Sequence, residues 1–250
     1  MSNKYYIGTS GWTYYNWKEL FYPNEIKQAE WLQYYSSQYD TVEVNSTFYS
    51  LPRLSSLKRW QELTDHDFTF SIKAWKKITH DKKLNNCNDE VKIFFNAIQS
   101  LKEKAKVILF QLPGSFSKDI TLLKDFINLL PSDYLYTFEF RNSSWWCDEV
   151  YSILQTHNIA FCIFELGKVI SPKVITAKFI YIRLHGNGKP YFSCYNDLEL
   201  LKWGGWIKAQ KENVYVYFNN TAVQDDAIQN AKALEAMLKG NRYENYLTIG

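Results

Sequence analysis

The sequence predicts an α/β protein of the TIM-like (β/α)8 barrel class, a single domain over residues 1–250 with a degenerate sixth helix. Three observations carry that reading. Eight β-rich runs alternate with amphipathic stretches, the order expected of a barrel, with a doubly wound sheet as the competitor. Several runs alternate polar with apolar residues, whereas parallel strands covered on both faces read as continuous apolar runs. Charge gathers at the C-terminal ends of the runs, which is where barrel enzymes place their active sites.

The elements follow in order. The first run covers residues 5–9. The second, 41–45, sets Thr41, Glu43 and Asn45 on one parity. In 68–73, Phe68, Phe70 and Ile72 oppose Thr69, Ser71 and Lys73. Val91, Phe94, Phe95, Ile98 and Leu101 then form a helical stripe. Run 106–112 carries Gln111, and run 134–141 opposes its four rings to Thr137, Glu139 and Arg141. Run 159–164 is apolar and contains Cys162, read as a core thiol. Residues 165–178 contain Pro172 and read as a loop or short turn where the sixth helix would stand. In 179–185, Ile180, Ile182 and Leu184 oppose Tyr181, Arg183 and His185; in 214–219, Val214, Val216 and Phe218 oppose Tyr215, Tyr217 and Asn219. Ala227, Ala231, Leu234 and Leu238 form the last stripe, ending at Gly240 as an αL cap.

Apolar residues make 46% of the chain and charged residues 22%, a balance that excludes disorder as the dominant state. The net charge of +3, with both signs interspersed, is too mild for wrapping duplex DNA or lying on an anionic membrane. No apolar run approaches the ~18 residues of a membrane span. The first residues lack an apolar signal region, so the cytoplasm is the expected address. Cys87, Cys147, Cys162 and Cys194 have no C-x-x-C spacing, which argues against a zinc ribbon or a disulfide scaffold. Aromatic residues reach 18%, the one unusual figure.

Seven ordered motifs carry a family resemblance: IGTSGW at 7–12, VEVNSTFY at 42–49, ITH at 78–80, LFQLP at 109–113, EFR at 139–141, RLHG at 183–186 and FNN at 218–220. Together they resemble the YecE-like family, a domain of unknown function (DUF72). The resemblance implies a TIM-barrel-like fold in a cytoplasmic bacterial or archaeal protein and implies no activity.

The chemistry therefore has to come from the residues. Polar parity directs Glu43, Lys73, Glu139, Arg141, Arg183 and His185 into the barrel mouth. Glu43 and Glu139 are the candidate acid and base, with one carboxyl ionised beside a cation and the other kept protonated by burial. His185 joins them as a catalytic candidate, whereas His80 is a secondary, binding candidate. Lys73, Arg141 and Arg183 would clamp an anion, the cations outnumbering the carboxylates. A depressed pKa would make Lys73 a Schiff-base amine, but neighbouring carboxylates oppose that, which favours the clamp. Asn45, Gln111 and Asn219 are neutral groups suited to orienting hydroxyls. Trp12, Tyr14, Tyr49, Trp145 and Tyr191 are loop rings that could stack on a ligand. Three cations on one rim repel a metal ion, so no metal and no cofactor are expected. The expected function is a metal-independent barrel enzyme acting on a phosphorylated sugar or nucleotide-like substrate. The alternative is a non-catalytic binder of an anionic metabolite or single-stranded nucleic acid. A small anionic ligand is the expected partner, with no membrane.

Overall fold

The computed structural model describes residues 3–101 and 103–240. Its strands are β1 (Tyr5–Thr9), β2 (Thr41–Val44), β3 (Thr69–Lys73), β4 (Ala105–Leu112), β5 (Leu135–Phe140), β6 (Ala160–Phe161), β7 (Ile163–Leu166), β8 (Val169–Ile170), β9 (Phe179–Leu184) and β10 (Asn213–Phe218). The helices are α1 (Trp31–Gln38), α2 (Ser46–Tyr49), α3 (Leu54–Glu62), α4 (Asn88–Ile98), α5 (Ile120–Ile127), α6 (Asp148–Thr156), α7 (Asp197–Lys208) and α8 (Asp226–Leu238). All eight expected β runs form strands, the sixth divided at Cys162 into β6 and β7. Both helical stripes fall on helices, α4 and α8. Between β7 and β9 the described residues form only the short β8 hairpin arm, so the sixth helix is absent rather than merely shortened.

Local chemistry sets the helix starts. The Asp119 carboxylate accepts the Leu122 N–H at 2.9 Å and caps α5. Asn196 and Glu199 form a reciprocal capping box that opens α7. Among the described residues, no helix is long and apolar enough to cross a membrane.

The strands lie in two five-stranded sheets, in the orders β1-β10-β9-β7-β8 and β2-β3-β4-β5-β6. All their pairings are parallel except β7 with β8. The protein is thus an α/β fold of parallel sheets and surrounding helices. The sheets approach each other at two seams. Ser10, just past β1, forms a parallel bridge with Glu43 of β2. At the other seam the Cys162 N–H donates to the Phe138 carbonyl of β5 at 2.8 Å, while Ile163 pairs with Ile182 of β9.

Two separate apolar clusters match the two parities. The larger one takes Val42, Phe70, Phe110, Phe138, Ile182 and Val216 together with the helix faces. The smaller one joins Val107, Leu109 and Cys162 to Tyr181, Tyr215 and Tyr217, side chains from both sheets. Tyr217 Oη crosses between the sheets to Thr41 Oγ1 at 2.6 Å and Ser71 Oγ at 2.8 Å. Polar-parity positions are therefore as buried as the apolar ones, and hydrogen bonding meets the cost of burying them.

Gly8 sits where β1 passes the Thr41 carbonyl, and a Cβ there would fall well inside van der Waals contact of that oxygen. Gly8→Ala should cost about 1–3 kcal/mol, as overpacking against backbone does, read from the urea midpoint. An unchanged midpoint would mean that the seam between β1 and β2 opens freely.

Candidate functional site

The C-terminal ends of the parallel strands carry a buried ionic cluster. Glu43 in β2, Glu139 in β5 and Arg183 in β9 each occupy the parity opposite their apolar neighbours, which turns them away from the helices. Arg183 is the hub. Its Nε donates to Glu43 Oε2 at 2.9 Å and its Nη2 to Glu43 Oε1 at 2.7 Å, a bidentate pair. Its Nη1 donates to Glu139 Oε2 at 2.7 Å. Glu43 also accepts from Ser10 Oγ and from Tyr181 Oη, both at 2.7 Å. Arg141 Nε donates to Glu139 Oε1, and the Cys162 thiol lies 3.7 Å from Oε2. Arg183 is only 1% exposed and the two carboxylates not at all.

Burial alone pushes both carboxyls toward the protonated form and is the largest single influence on each. For Glu43 it is outweighed by the Arg183 charge and by hydrogen bonds from Arg183, Ser10 and Tyr181, and its pKa falls below the usual value. For Glu139 the Arg141 and Arg183 charges outweigh it further, holding the group well below that range. The expected split into one ionised and one protonated carboxyl is therefore corrected: both are held as carboxylates, because guanidinium reaches both. Arg183 likewise is a buried brace, its donors taken up by the two carboxylates.

His185 follows β9 and is equally buried. Burial, then the Arg183 charge, lower its pKa to about 3, so the ring is neutral. Arg141 Nη2 lies 2.9 Å from its Nε2, and Asn219 Nδ2 lies 3.0 Å from its Nδ1. A guanidinium can only donate, which puts the lone pair on Nε2 and the proton on Nδ1. The Asn219 amide then satisfies the pair only when turned so that its oxygen accepts from Nδ1. His185 props Arg141 in place. Both ring nitrogens are engaged there and the ring is neutral near pH 7, an arrangement that fits positioning of Arg141 rather than the proton exchange expected of it.

Lys73 differs from every other charge here. It ends β3, is partly exposed, and its Nζ lies 4.2 Å from the centre of the Phe48 ring. Among the described residues it makes no ion pair. Burial, then the Arg183 charge, lower its pKa from 10.5 to about 8, against the opposing pull of Glu139 and Glu43. Those carboxylates, expected to keep the amine charged, are already engaged by guanidinium.

The remaining candidates divide. Gln111 pairs in register with Glu139, and its Nε2 donates to the Leu112 carbonyl. Asn45 stands at the N-cap position of α2 without capping it, and its buried amide oxygen has no hydrogen-bond partner. Tyr14 donates to the Ser10 carbonyl and feels the charges of Glu43, Arg183 and Tyr49. Tyr49 is 72% exposed. Tyr191 packs edge-on against His185 at 5.5 Å. His80 packs edge-on against Phe48 at 4.8 Å, and burial followed by the Lys73 charge lowers its pKa. Two rings turn elsewhere. Trp145 is fully buried, stacked on Phe140 and donating to the Phe116 carbonyl, so it is a core ring and offers no stacking face. Trp12 sets its edge against Trp60 and Phe70 on the helix side.

Sequence reasoning missed Ser10, Tyr181 and Phe164, and read Cys162 as a core thiol without its approach to Glu139. Tyr181 shares the parity of Arg183, a signal sufficient to find it. Phe164, stacked 4.6 Å beneath the Arg141 guanidinium, had no such signal. A divalent ion on Glu43, Glu139 and His185 would have to displace guanidinium donors from both carboxylates. Among the described residues no three His, Cys, Asp or Glu side chains converge as an alternative ligand set.

This arrangement can be set beside known proteins. A family profile described as protein of unknown function DUF72 matches residues 6–247. The chain belongs to the DUF72 family. The resemblance read from the seven motifs is borne out. UPF0759 protein YecE of Escherichia coli K12 is 30% identical over 138 residues, 55% of this chain. That match spans 48% of the E. coli protein, about half of its length. UPF0759 protein YunF of Bacillus subtilis is 25% identical over 93% of this chain and 94% of its own. A DUF72 family protein from Thermotoga maritima has a similar crystal structure, with a TM-score of 0.85 and 28% identity over 95% of this chain and all of that one. The DUF72 match contains the whole ionic cluster, and these names state no substrate and no reaction.

Proposed function

We propose that this DUF72 protein is a metal-independent enzyme that binds a small anionic substrate, a phosphorylated sugar or nucleotide-like molecule, and acts on it by proton transfer at the C-terminal ends of its strands. One observation carries the reading. Both buried carboxylates are neutralised by Arg183 and Arg141, so the remaining charge rests on Lys73, a cation with no carboxylate partner. A phosphate or carboxylate supplies that partner. The unpartnered Asn45 oxygen offers an acceptor to a ligand hydroxyl, and exposed Tyr49 and Tyr191 offer faces for a ring. Lys73, with its pKa near 8, takes the proton-transfer role first expected of Glu43 and Glu139.

The frame of this reading is a closed (β/α)8 barrel in the order β1-β2-β3-β4-β5-β6/β7-β9-β10. The Ser10–Glu43 bridge and the passage through Cys162 support it as the two lines of closure. Calorimetric titration should show inorganic phosphate binding to the wild-type chain, with affinity at least tenfold weaker in Lys73→Met. Equal affinity in the two proteins would reject the site. Binding of phosphorylated sugars with no turnover of any would instead favour a binding protein, a reading also supported by the locked state of both carboxylates.

A further inference from the structure

We propose that Lys73 is an imine-forming nucleophile, and that the substrate is a phosphorylated aldehyde or ketone. This rests on the anionic-substrate reading above and adds to it the reacting group. The argument begins with position. Lys73 is the last residue of β3, among the strand ends that hold the cluster, and its amine lies over the Phe48 ring rather than against a carboxylate. Here Glu43 and Glu139 are within electrostatic reach but spend their oxygens on Arg183, Arg141, Ser10 and Tyr181.

The charged and titratable groups facing the amine are Arg183 from β9, Arg141 beyond β5, Glu139 from β5, Glu43 from β2 and His80 from the turn after β3. The two guanidiniums and the burial disfavour the ammonium. At a pKa of about 8, roughly a tenth of the molecules carry a free amine at pH 7, on the order of three hundred times the fraction at 10.5. An amine desolvated beside other cations is the recognised route to a nucleophilic lysine.

The step balances within the site. The Nζ lone pair attacks the carbonyl carbon, a C–N bond forms, and the carbonyl oxygen takes up a proton to give the carbinolamine. Loss of water, formed from that oxygen and both amine protons, leaves the neutral C=N bond. Protonation of the nitrogen then gives an iminium that acidifies the adjacent C–H. His80, neutral and within electrostatic reach of Lys73, can carry the proton between these stages. The phosphate that the Lys73 ammonium holds in the anion complex would pass, once the amine engages the carbonyl, to Arg141, whose side chain stays partly exposed.

The test is reductive trapping on the full chain with dihydroxyacetone phosphate and sodium borohydride, followed by intact mass and peptide mapping. One adduct per chain on the peptide containing Lys73 is expected, forming readily at pH 8, and at least tenfold faster than on surface lysines. Lys73→Arg, which keeps a cation but cannot form an imine, should give none while still binding phosphate. No adduct, or the same adduct pattern in wild type and Lys73→Arg, overturns the proposal. The two readings fail separately. Phosphate binding without trapping removes the imine and leaves the anion site. Equal trapping of unphosphorylated dihydroxyacetone, unaffected by inorganic phosphate, keeps the nucleophile and removes both the anionic-substrate reading and the phosphorylated substrate class.

Discussion

Arg183→Met should lower the stability of this DUF72 protein by about 3–5 kcal/mol, the scale for removing one partner of a buried ion pair. The value sits at the upper end because one guanidinium serves two fully buried carboxylates. Its pH dependence should change sign. In the wild type both carboxyls have folded pKa values below their unfolded ones, so their contribution is present above about pH 4.3 and lost as the pH falls through the folded values. Without Arg183, burial acts on Glu43 without its main cation, and its folded pKa rises above the unfolded one. The loss should then be greatest at pH 7 and shrink as the pH falls toward 5 and Glu43 takes up a proton. Urea unfolding of both proteins between pH 4 and 8 measures this. A loss under 1 kcal/mol at pH 7 would mean that Arg183 is not the brace of the cluster.

Lys73→Met should do the opposite and stabilise the fold while weakening phosphate binding. The folded pKa of about 8 lies below the unfolded value near 10.5, so burying the ammonium costs on the order of 3 kcal/mol at neutral pH. Below pH 8 the residue is protonated in both states and the full cost is borne. Between 8 and 10.5 the folded state sheds its proton first and the cost declines; above 10.5 it is gone. The gain from Lys73→Met should thus be largest at pH 7 and vanish near pH 10.5, seen as a raised Tm at the lower pH alone. A Tm that falls at pH 7 would show that the amine has a stabilising partner, and the site reading would fail with it. Stability given up at a functional position is a familiar trade.

The strands were legible because side-chain direction along an extended chain has a fixed period of two. The parities of Phe68–Lys73, Tyr134–Arg141 and Phe179–His185 therefore marked which residues face inward, and both helical stripes landed on α4 and α8. The site was legible for the same reason: Glu43, Glu139, Arg183 and His185 come together from strands far apart in the chain. Pairing was not legible. Formal charges from four strands gave only a sum, and nothing in a linear order says that Arg183 spends itself on both carboxylates and leaves Lys73 alone. Nor could spacing show that Trp145 turns into the core while Tyr49 stays exposed, since a loop ring has no period. The sequence by itself determined the order of elements, the inward-facing residues and the family, all properties of local period and motif. The tertiary structure alone decided protonation and partnership, because these depend on distances of about 3 Å and on burial, which arise only where strands from distant parts of the chain meet.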